Sequence, residues 1–287
     1  MKIIDLIRPN ASPVFSFEFF PPKDEEGMKS LYGTILELKA LKPSYVSVTY
    51  GAGGANRDKT LGLVGRIKHE IGLEPMSHLT CVGSSSALIH EILGKIKADQ
   101  IENILALRGD PPKGEKNFVK AEGGFGYAYE LVREIKKNYD FCIGVAGYPE
   151  KHPESPTLEE DIDHLKLKVD SGADFIVTQL FFNNNAFFDF LRRTDKAGIK
   201  VPIIPGIMPI TNFGQIKKFT EMCGAALPEK IIKDLERLQD RPEDVEKYGT
   251  DYAIGQCREL LDNGVKGIHF YTLNKSKATR EIFREIA

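Results

Sequence analysis

Several strand-like apolar runs carry a side chain capable of acid–base or ionic chemistry. In VFSFEFF, residues 14–20, Phe15, Phe17 and Phe19 alternate with Ser16 and Glu18. Successive strand residues point to opposite faces, so the phenylalanines suit a layer of helices and Glu18 faces the interior. The same alternation singles out further polar residues: Ser47 and Thr49 in YVSVTY, His78 with Thr80 in PMSHLTC, and Arg108 with Ala106 in NILALRGD.

Together these residues place a carboxylate, hydroxyls, an imidazole and a guanidinium at the ends of successive strands. Burying such groups is costly unless they pair with one another or bind something. A structural ion pair, such as Glu18 with Arg108, accounts equally well for any one of them. Their convergence favours a binding or catalytic site.

Other polar residues lie where strands end. Asp110 follows Arg108-Gly109 and precedes two prolines, so it either serves a site or makes a turn. Gln179, in TQLFFNNN, serves a site or caps its loop. Tyr148 and His152 lead into a helix that carries Asp161, His164 and Lys168 on one face, which without further context indicates a solvated helix face.

Missing motifs narrow the chemistry. YGAGGAN has Asn56 where the dinucleotide fingerprint needs its last glycine, and the sequence contains no P-loop. It also contains no H-E-x-x-H, no other metal-ligand spacing and no G-x-S-x-G elbow, so we expect no metal. The four cysteines are scattered, which is typical of buried thiols in a reducing compartment.

Composition limits the partners. The 39 basic and 41 acidic residues give a net charge of −2, which disfavours nucleic-acid and anionic-membrane binding. No apolar run approaches the roughly 18 residues that span a bilayer, and the opening MKIIDLIRPN is too charged for a signal peptide. We therefore expect a cytoplasmic protein that acts on a small molecule.

Strand and helix patterns alternate along the whole chain, without a linker. Strands are predicted at 14–20, 45–50, 75–81, 103–108, 141–147, 174–180, 201–207 and 267–271. Helices are predicted at 25–41, 58–71, 85–98, 126–138, 157–171, 185–197, 212–222, 228–238, 250–263 and 275–286. This order predicts an α/β fold, a single (β/α)8 TIM barrel over 1–287 with extra helices before the last strand; an open doubly wound sheet is the alternative.

The segment 109–124 is the longest one without periodicity. It follows the fourth strand, on the face where barrel enzymes keep their active sites. Loops of this length in compact domains are usually functional.

Eight motifs stand in order at the strand ends. They are FSFEFFPPK around Glu18, VTYGAGG around Thr49, HLTC from His78, LRGDPP at 107–112, GYPEKHP at 147–153, TQLFF at 178–182, PGIMPI at 205–210 and HFYTLN at 269–274. The set runs nearly from end to end and resembles the methylenetetrahydrofolate reductase family. Because eukaryotic members add a C-terminal regulatory domain, the resemblance implies the short prokaryotic form.

The resemblance implies a barrel that holds FAD non-covalently without a Rossmann motif. NADH, NADPH or a partner protein would reduce the flavin, which would then reduce 5,10-methylenetetrahydrofolate to 5-methyltetrahydrofolate in a ping-pong cycle. It further implies a homo-oligomer and a place in one-carbon metabolism and methionine biosynthesis.

Residue roles follow from the same resemblance. Glu18 would be the general acid, and Asp110 would lie between flavin and pterin. The implied FAD site comprises Thr49, His78, Arg108, Gly109, Asp110, Tyr127, Ala128, Tyr148, His152, Asp161, His164 and Lys168. The implied substrate contacts are Gln179, Gln215, Phe219 and Lys275.

The sequence departs from the family pattern at three positions. Lys275 replaces an expected arginine and loses its bidentate fork, while His164 and Leu167 replace expected polar or basic residues on the FAD helix.

Physical chemistry supports two of these roles. Opening the substrate's five-membered ring needs a proton at the departing amine, and we expect the aromatic-flanked interior to raise the pKa of Glu18 so that it holds one. A nearby Asp110 carboxylate favours the cationic iminium. The alternatives are another TIM-barrel flavoprotein, such as a proline-dehydrogenase-like oxidoreductase, and an inactive folate-binding subunit.

Overall fold

A computed structural model describes residues 1–8, 12–50, 57–111, 114–115 and 117–287. Its strands form a single sheet in which every pairing is parallel, in the order β7-β6-β5-β4-β3-β2-β1-β9-β8. The strands are β1 (Val14–Phe19), β2 (Tyr45–Val48), β3 (Pro75–Thr80), β4 (Asn103–Leu107), β5 (Cys142–Gly147), β6 (Phe175–Thr178), β7 (Ile203–Ile204), β8 (Gly206–Ile207) and β9 (Gly267–Tyr271). The predicted α/β barrel is confirmed.

The ring closes through a strand that is split in two. Pro205 separates β7, which pairs with β6, from β8, which pairs with β9. Proline has no N–H to donate to a ladder, but its carbonyl accepts from His269 N at 2.9 Å. The single strand predicted at 201–207 is therefore two short pieces that act as the seventh strand of an eight-stranded barrel.

Helices follow the strands. They are α1 (Ile3–Ile7), α2 (Glu25–Lys39), α3 (Arg57–Arg66, which continues as a π-helical turn over Ile67–Ile71), α4 (Ser86–Ala98), α5 (Ala128–Asn138), α6 (Leu158–Asp170), α7 (Asn184–Lys196), α8 (Phe213–Cys223), α9 (Glu229–Leu238), α10 (Pro242–Asp262) and α11 (Lys277–Ile286). The extra helices predicted before the last strand are confirmed as α9 and α10. The described residues contain no helix that is both long and apolar enough to cross a membrane.

Two helix predictions were wrong or incomplete. α10 starts at Pro242, eight residues before the predicted 250, because Pro242 stands in its first turn with Glu243 and Asp244 near the positive end of the helix dipole. α1 was not predicted at all.

Residue alternation in the strands builds two apolar layers. Outward residues such as Phe17, Val46 and Ile104 pack against the helices. Inward residues at the amino end of the barrel form a floor, which includes Tyr45, Met76, Leu105, Phe175 and Ile204 together with Ile3, Ile4 and Ile7 of α1. α1 is fastened beneath this floor, because its Ile3 N donates to Asn103 Oδ1 at 2.7 Å.

A third apolar cluster joins α8, α9 and α10 to the carboxyl ends of the strands. Phe182 and Ile210 pack there with Ile216, Leu235 and Val245. The extra helices therefore fix α8 beside the mouth of the barrel.

Candidate active site

Glu18 lies at the carboxyl end of β1 and faces the barrel interior, as the alternation predicts. Its Oε2 lies 3.3 Å from His269 Nε2 and 3.5 Å from His78 Nε2. The Glu18 side chain is 17% exposed, whereas the His269 side chain is fully buried. The carboxylate therefore sits above the apolar floor, between two imidazoles.

Each imidazole is held in turn by a serine. Ser16 Oγ lies 2.8 Å from His269 Nδ1, and Ser47 Oγ lies 2.6 Å from His78 Nε2. Sheet register brings these residues together, since Ser16 is paired with His269 and Glu18 with Ser47. We call Ser16, His269, Glu18, His78 and Ser47 the carboxylate cluster.

The expected rise in the pKa of Glu18 is wrong for this structure. Burial acts to raise that pKa, but the net effect is a lowered pKa, and the hydrogen bond from His269 is the largest contribution that lowers it. Burial lowers the pKa of His78 to about 4, so His78 is neutral at pH 7. The hydrogen bond from His269 therefore favours the ionised carboxylate. The phenylalanines of β1 point away from Glu18, into the helix layer.

Arg108 does not point inward with this cluster. The inward residues of β4 include Leu105, whereas Ala106 packs outward. Arg108 follows the end of the strand and forks onto Glu154, with both N–O distances at 2.6 Å. The suggested pairing of Arg108 with Glu18 is therefore wrong.

A second polar group gathers where β5 runs into α6, and we call Tyr148, His152, Asp161 and Lys168 the β5–α6 cluster. The rings of Tyr148 and His152 meet edge to face at 4.7 Å. Asp161 accepts from Ser155 Oγ at 2.8 Å, and Lys168 Nζ donates to Ala146 O at 2.5 Å.

Charge and burial in this group favour an anionic ligand. Burial lowers the pKa of Lys168 to about 8, and burial and the charge of Arg108 lower that of His152. A negatively charged group beside Lys168 would favour the ionised form of its ammonium and raise its pKa again.

Between the two clusters, the backbone at Gly109 makes a close turn. Gly109 has φ +88°, and an added Cβ would lie 2.7 Å from Val82 Cγ1 and 2.9 Å from Thr80 Cβ. Thr80 Oγ1 is buried and has no hydrogen-bond partner among the described residues. Asp110, the next residue, is exposed.

A groove of about 720 Å³ joins three of the four residues expected to bind substrate. Its lining comprises Gln215, Phe219 and Lys275 together with Asn212, Gly214, Lys218 and Met222. The fourth, Gln179, is not part of this lining; its Oε1 accepts from the N–H of Leu180 at 2.9 Å, so it caps its own loop.

Several expected cofactor residues lie apart from these groups. Tyr127 is 58% exposed and stacks on Tyr129 with centroids 5.9 Å apart, and Ala128 begins α5 beside it. His164 is exposed on α6, whereas Asp161 on the same helix is buried. Among the described residues, Thr49 makes only backbone hydrogen bonds, with Phe19 and with the Thr60 hydroxyl. The glycines of YGAGGAN lie outside the described residues.

Sequence reasoning missed His269, Ser16 and Glu154 as site residues. The signal for His269 was available, because the alternation that placed Glu18 inward also places His269 with Tyr271 in HFYTLN. Glu154 had no such signal, since it lies in a loop. In the part of the chain that the structure describes, no group of three or more His, Cys, Asp or Glu could hold a metal ion.

Comparisons with known proteins agree over nearly the whole chain. The family model described as methylenetetrahydrofolate reductase matches residues 2–287. A relative from Escherichia coli, "5,10-methylenetetrahydrofolate reductase", is 41% identical over 93% of this chain and 88% of its own length. The maize relative "Methylenetetrahydrofolate reductase (NADH) 1" is 42% identical over 97% of this chain and 49% of its own length.

The chain spans about half the length of the plant and yeast relatives it matches. Among solved structures, an uncharacterized protein from Clostridium thermocellum, described as binding two copies of 5-methyl-5,6,7,8-tetrahydrofolic acid, has a TM-score of 0.63 at 16% identity. That likeness covers 99% of this chain and 97% of the other, and it shows a shared fold.

Proposed function

Because this chain belongs to the methylenetetrahydrofolate reductase family, we propose that it reduces 5,10-methylenetetrahydrofolate to 5-methyltetrahydrofolate. The observation that carries the proposal is Glu18, held at the barrel mouth by two imidazoles. A protein of the same fold is described as binding the methylated product, which supports a folate site in such a barrel. Residues 1–287 form the catalytic unit of this proposal.

The proposed cofactor is FAD, bound without a covalent link. The residues present fit an anionic dinucleotide, because Lys168 and Arg108 supply positive charge and the buried Thr80 hydroxyl lacks a partner among the described residues. The residues that would hold FAD are Arg108, Gly109, Tyr148, His152, Asp161 and Lys168. His78 would lie beneath the cofactor. When bound, FAD supplies the hydride for the substrate.

The electron donor in this proposal is NADH or NADPH, and a partner protein carrying electrons is the alternative. The maize relative carries NADH in its name. Steady-state assays under anaerobic conditions with each donor in turn distinguish them.

Glu18 would protonate the amine that departs when the substrate ring opens. In the ligand-free protein the carboxylate is ionised, but a flat pterin over the mouth would cover its remaining exposed surface. Losing water raises a carboxyl pKa, so substrate binding would prepare Glu18 to take up and deliver a proton.

The other residues would orient the substrate. Phe219 and Gln215 line one wall of the groove and would contact the ring system, and Lys275 would attract the carboxylates of the glutamate tail. The exposed carboxylate of Asp110 would favour the cationic iminium over the closed ring.

Glu18→Gln tests the proposal. The amide keeps the size of the side chain but carries no transferable proton, so reduction of bound FAD by its donor should survive. Reoxidation by methylenetetrahydrofolate should slow by roughly 10²-fold to 10⁴-fold, the usual worth of general acid catalysis. Stopped-flow absorbance separates the two half-reactions.

Glu91→Gln, on the exposed side of α4, is the matched control and should leave both rates unchanged. Equal slowing of both half-reactions by Glu18→Gln would contradict the assigned role. Acid precipitation adds a second readout: FAD should be released into the supernatant, whereas a colourless protein would favour an inactive folate-binding subunit.

A further inference from the structure

His269 is buried, faces Glu18 and has no role in the function proposed above. We propose that His269, oriented by Ser16, is the positioning residue for Glu18: it holds Oε2 so that Oε1 is the oxygen presented to the substrate. This inference rests on the proposed function, in which Glu18 is the proton donor.

The partners of the two ring nitrogens determine which nitrogen of His269 carries the proton. Ser16 Oγ lies 2.8 Å from Nδ1, and Glu18 Oε2 lies 3.3 Å from Nε2. An ionised carboxylate only accepts hydrogen bonds, so Nε2 carries a hydrogen, and in the neutral imidazole Nδ1 then accepts from the serine hydroxyl. A carboxylate at one end and a hydroxyl donor at the other therefore select the Nε2–H tautomer.

The backbone prepares this arrangement before any ligand binds. Ser16 and Glu18 are two residues apart on β1 and share its inward face, and Ser16 pairs directly with His269 on β9. Ser16 is 1% exposed and His269 is 0% exposed, so water does not compete for these bonds.

Both imidazoles approach the same oxygen of Glu18. His78 Nε2 lies 3.5 Å from Oε2 and only 2.6 Å from Ser47 Oγ, so its shorter contact is with the serine. Oε1 has no hydrogen-bond partner among the described residues, which leaves it available at the mouth.

The titratable groups that face Glu18 are His78 from β3 and His269 and Tyr271 from β9. Burial lowers the pKa of His78 to about 4 and raises that of Tyr271 well above its usual value, so neither is charged at neutral pH. The hydrogen bond from His269 is left as the interaction that holds the pKa of Glu18 down.

Three variants test the inference: His269→Leu removes the donor, His269→Gln keeps an N–H donor, and Ser16→Ala removes the group that orients the ring. His269→Leu should slow flavin reoxidation by methylenetetrahydrofolate by roughly 10-fold to 100-fold, since a displaced catalytic group costs about that much. Reduction of the flavin by its donor should stay within roughly twofold of wild type, and His269→Gln should recover most of the lost rate.

The pH profile of flavin reoxidation distinguishes a positioning role from a purely structural one, because a purely structural role would leave the profile unchanged. Removing the donor raises the pKa of Glu18, and an acid catalyst stays active up to its pKa. The alkaline limb of the reoxidation rate should therefore shift upward in His269→Leu, by roughly one to two pH units for one hydrogen bond to a charged group. His90→Leu is the control, because His90 pairs with Glu134 at 2.9 Å on the outside of the barrel and should leave the limb unchanged.

A third readout needs neither flavin nor folate. Nitrogen-15 NMR of histidine-labelled, flavin-free protein should show the Nε2–H tautomer for the resonance that disappears in His269→Gln, and Glu18→Gln and Ser16→Ala should each shift that resonance. An Nδ1–H tautomer, or an unmoved pH limb together with equal slowing of both half-reactions, would overturn the inference. Absence of folate-dependent reoxidation in the wild type would instead refute the proposed function, and the NMR result would still decide whether His269 donates to Glu18.

Discussion

Glu18 shares one carboxylate oxygen between two imidazoles whose surroundings differ. Burial leaves His78 neutral at pH 7, whereas Ser16 orients His269 to donate. The charge of this carboxylate is therefore set by a ring 251 positions away in the chain. Local sequence gives the direction in which Glu18 points, but not its protonation.

Asp110 provides a prediction about the flavin proposed to lie beside it. Asp110→Asn should raise the flavin reduction potential, because a nearby negative charge disfavours the anionic reduced form. We expect a rise of roughly 30 mV, equivalent to about 1.4 kcal/mol for a two-electron couple. Spectroscopic redox titration measures it, with the exposed Asp163→Asn on α6 as the control; an unchanged potential would show that Asp110 is not beside the ring.

Lys168 provides a prediction for the ligand-free protein. Its pKa falls from 10.5 in the unfolded chain to about 8 in the fold, so between these values the unfolded state binds more protons. Lys168 therefore costs stability below about pH 8, and this cost is relieved as the pH rises towards 10.5.

Lys168→Met should accordingly gain stability relative to wild type at pH 7, and the gain should shrink by up to about 3 kcal/mol by pH 10, at roughly 1.4 kcal/mol per pKa unit. Urea unfolding at several pH values gives the difference. Lys196→Met, on the exposed surface of α7, should show a difference that does not depend on pH; a Lys168→Met gain that stays constant would count against the lowered pKa.

At the scale of elements, α6 carries two residues of the β5–α6 cluster, Asp161 in its first turn and Lys168 in its last turn. Thr157 caps this helix, because its side chain accepts from Glu160 N at 3.1 Å. Thr157→Ala should cost about 1 kcal/mol of unfolding free energy, the usual worth of a lost cap. Chemical denaturation measures the loss. Thr157→Ser keeps the hydroxyl and should retain most of the unfolding free energy. Equal losses in the two variants would mean that the capping hydroxyl contributes nothing.

Elements whose signals are local were predictable, and those that depend on distant partners were not. Strand and helix patterns located the barrel strands and the helices from 25 onward, except for the start of α10. α1 has only five residues, and its helix depends on the floor beneath the barrel and on Asn103. The break at Pro205 was visible in the sequence, but that β7 and β8 pair with different neighbours follows only from closure of the ring.

The same distinction applies to the site. Alternation gave the inward direction of Glu18, and the family resemblance grouped Gln215, Phe219 and Lys275, which line one groove. Arg108 was misplaced because Ala106, with which alternation groups it, packs outward, and beyond the end of β4 the guanidinium turns to Glu154. Alternation is a rule for residues within a ladder, and catalytic residues gather where the ladder stops.

At the scale of the whole molecule, the two ends of the barrel have separate tasks. Ile3 of α1 is fully buried in the floor, at the end opposite the mouth. Ile3→Ala should cost about 2 to 4 kcal/mol of stability while leaving both half-reactions unchanged, because it opens a cavity far from Glu18. Calorimetry measures the stability and stopped-flow kinetics measures the two half-reactions. Leu36→Ala, at a side chain 57% exposed, is the control. A slowed half-reaction in the folded Ile3→Ala protein would show that the two ends are coupled.

The apolar floor also governs how protons enter. Below Glu18 the barrel is filled by side chains such as Met76, Leu105 and Phe175, so water reaches the carboxylate from the mouth. In the proposed cycle, a flat ligand over that mouth would narrow this route, and the proton that Glu18 takes up would have to enter past the rim of the ligand. Seating of the ligand and proton uptake by Glu18 would then be coupled, because both use the same opening.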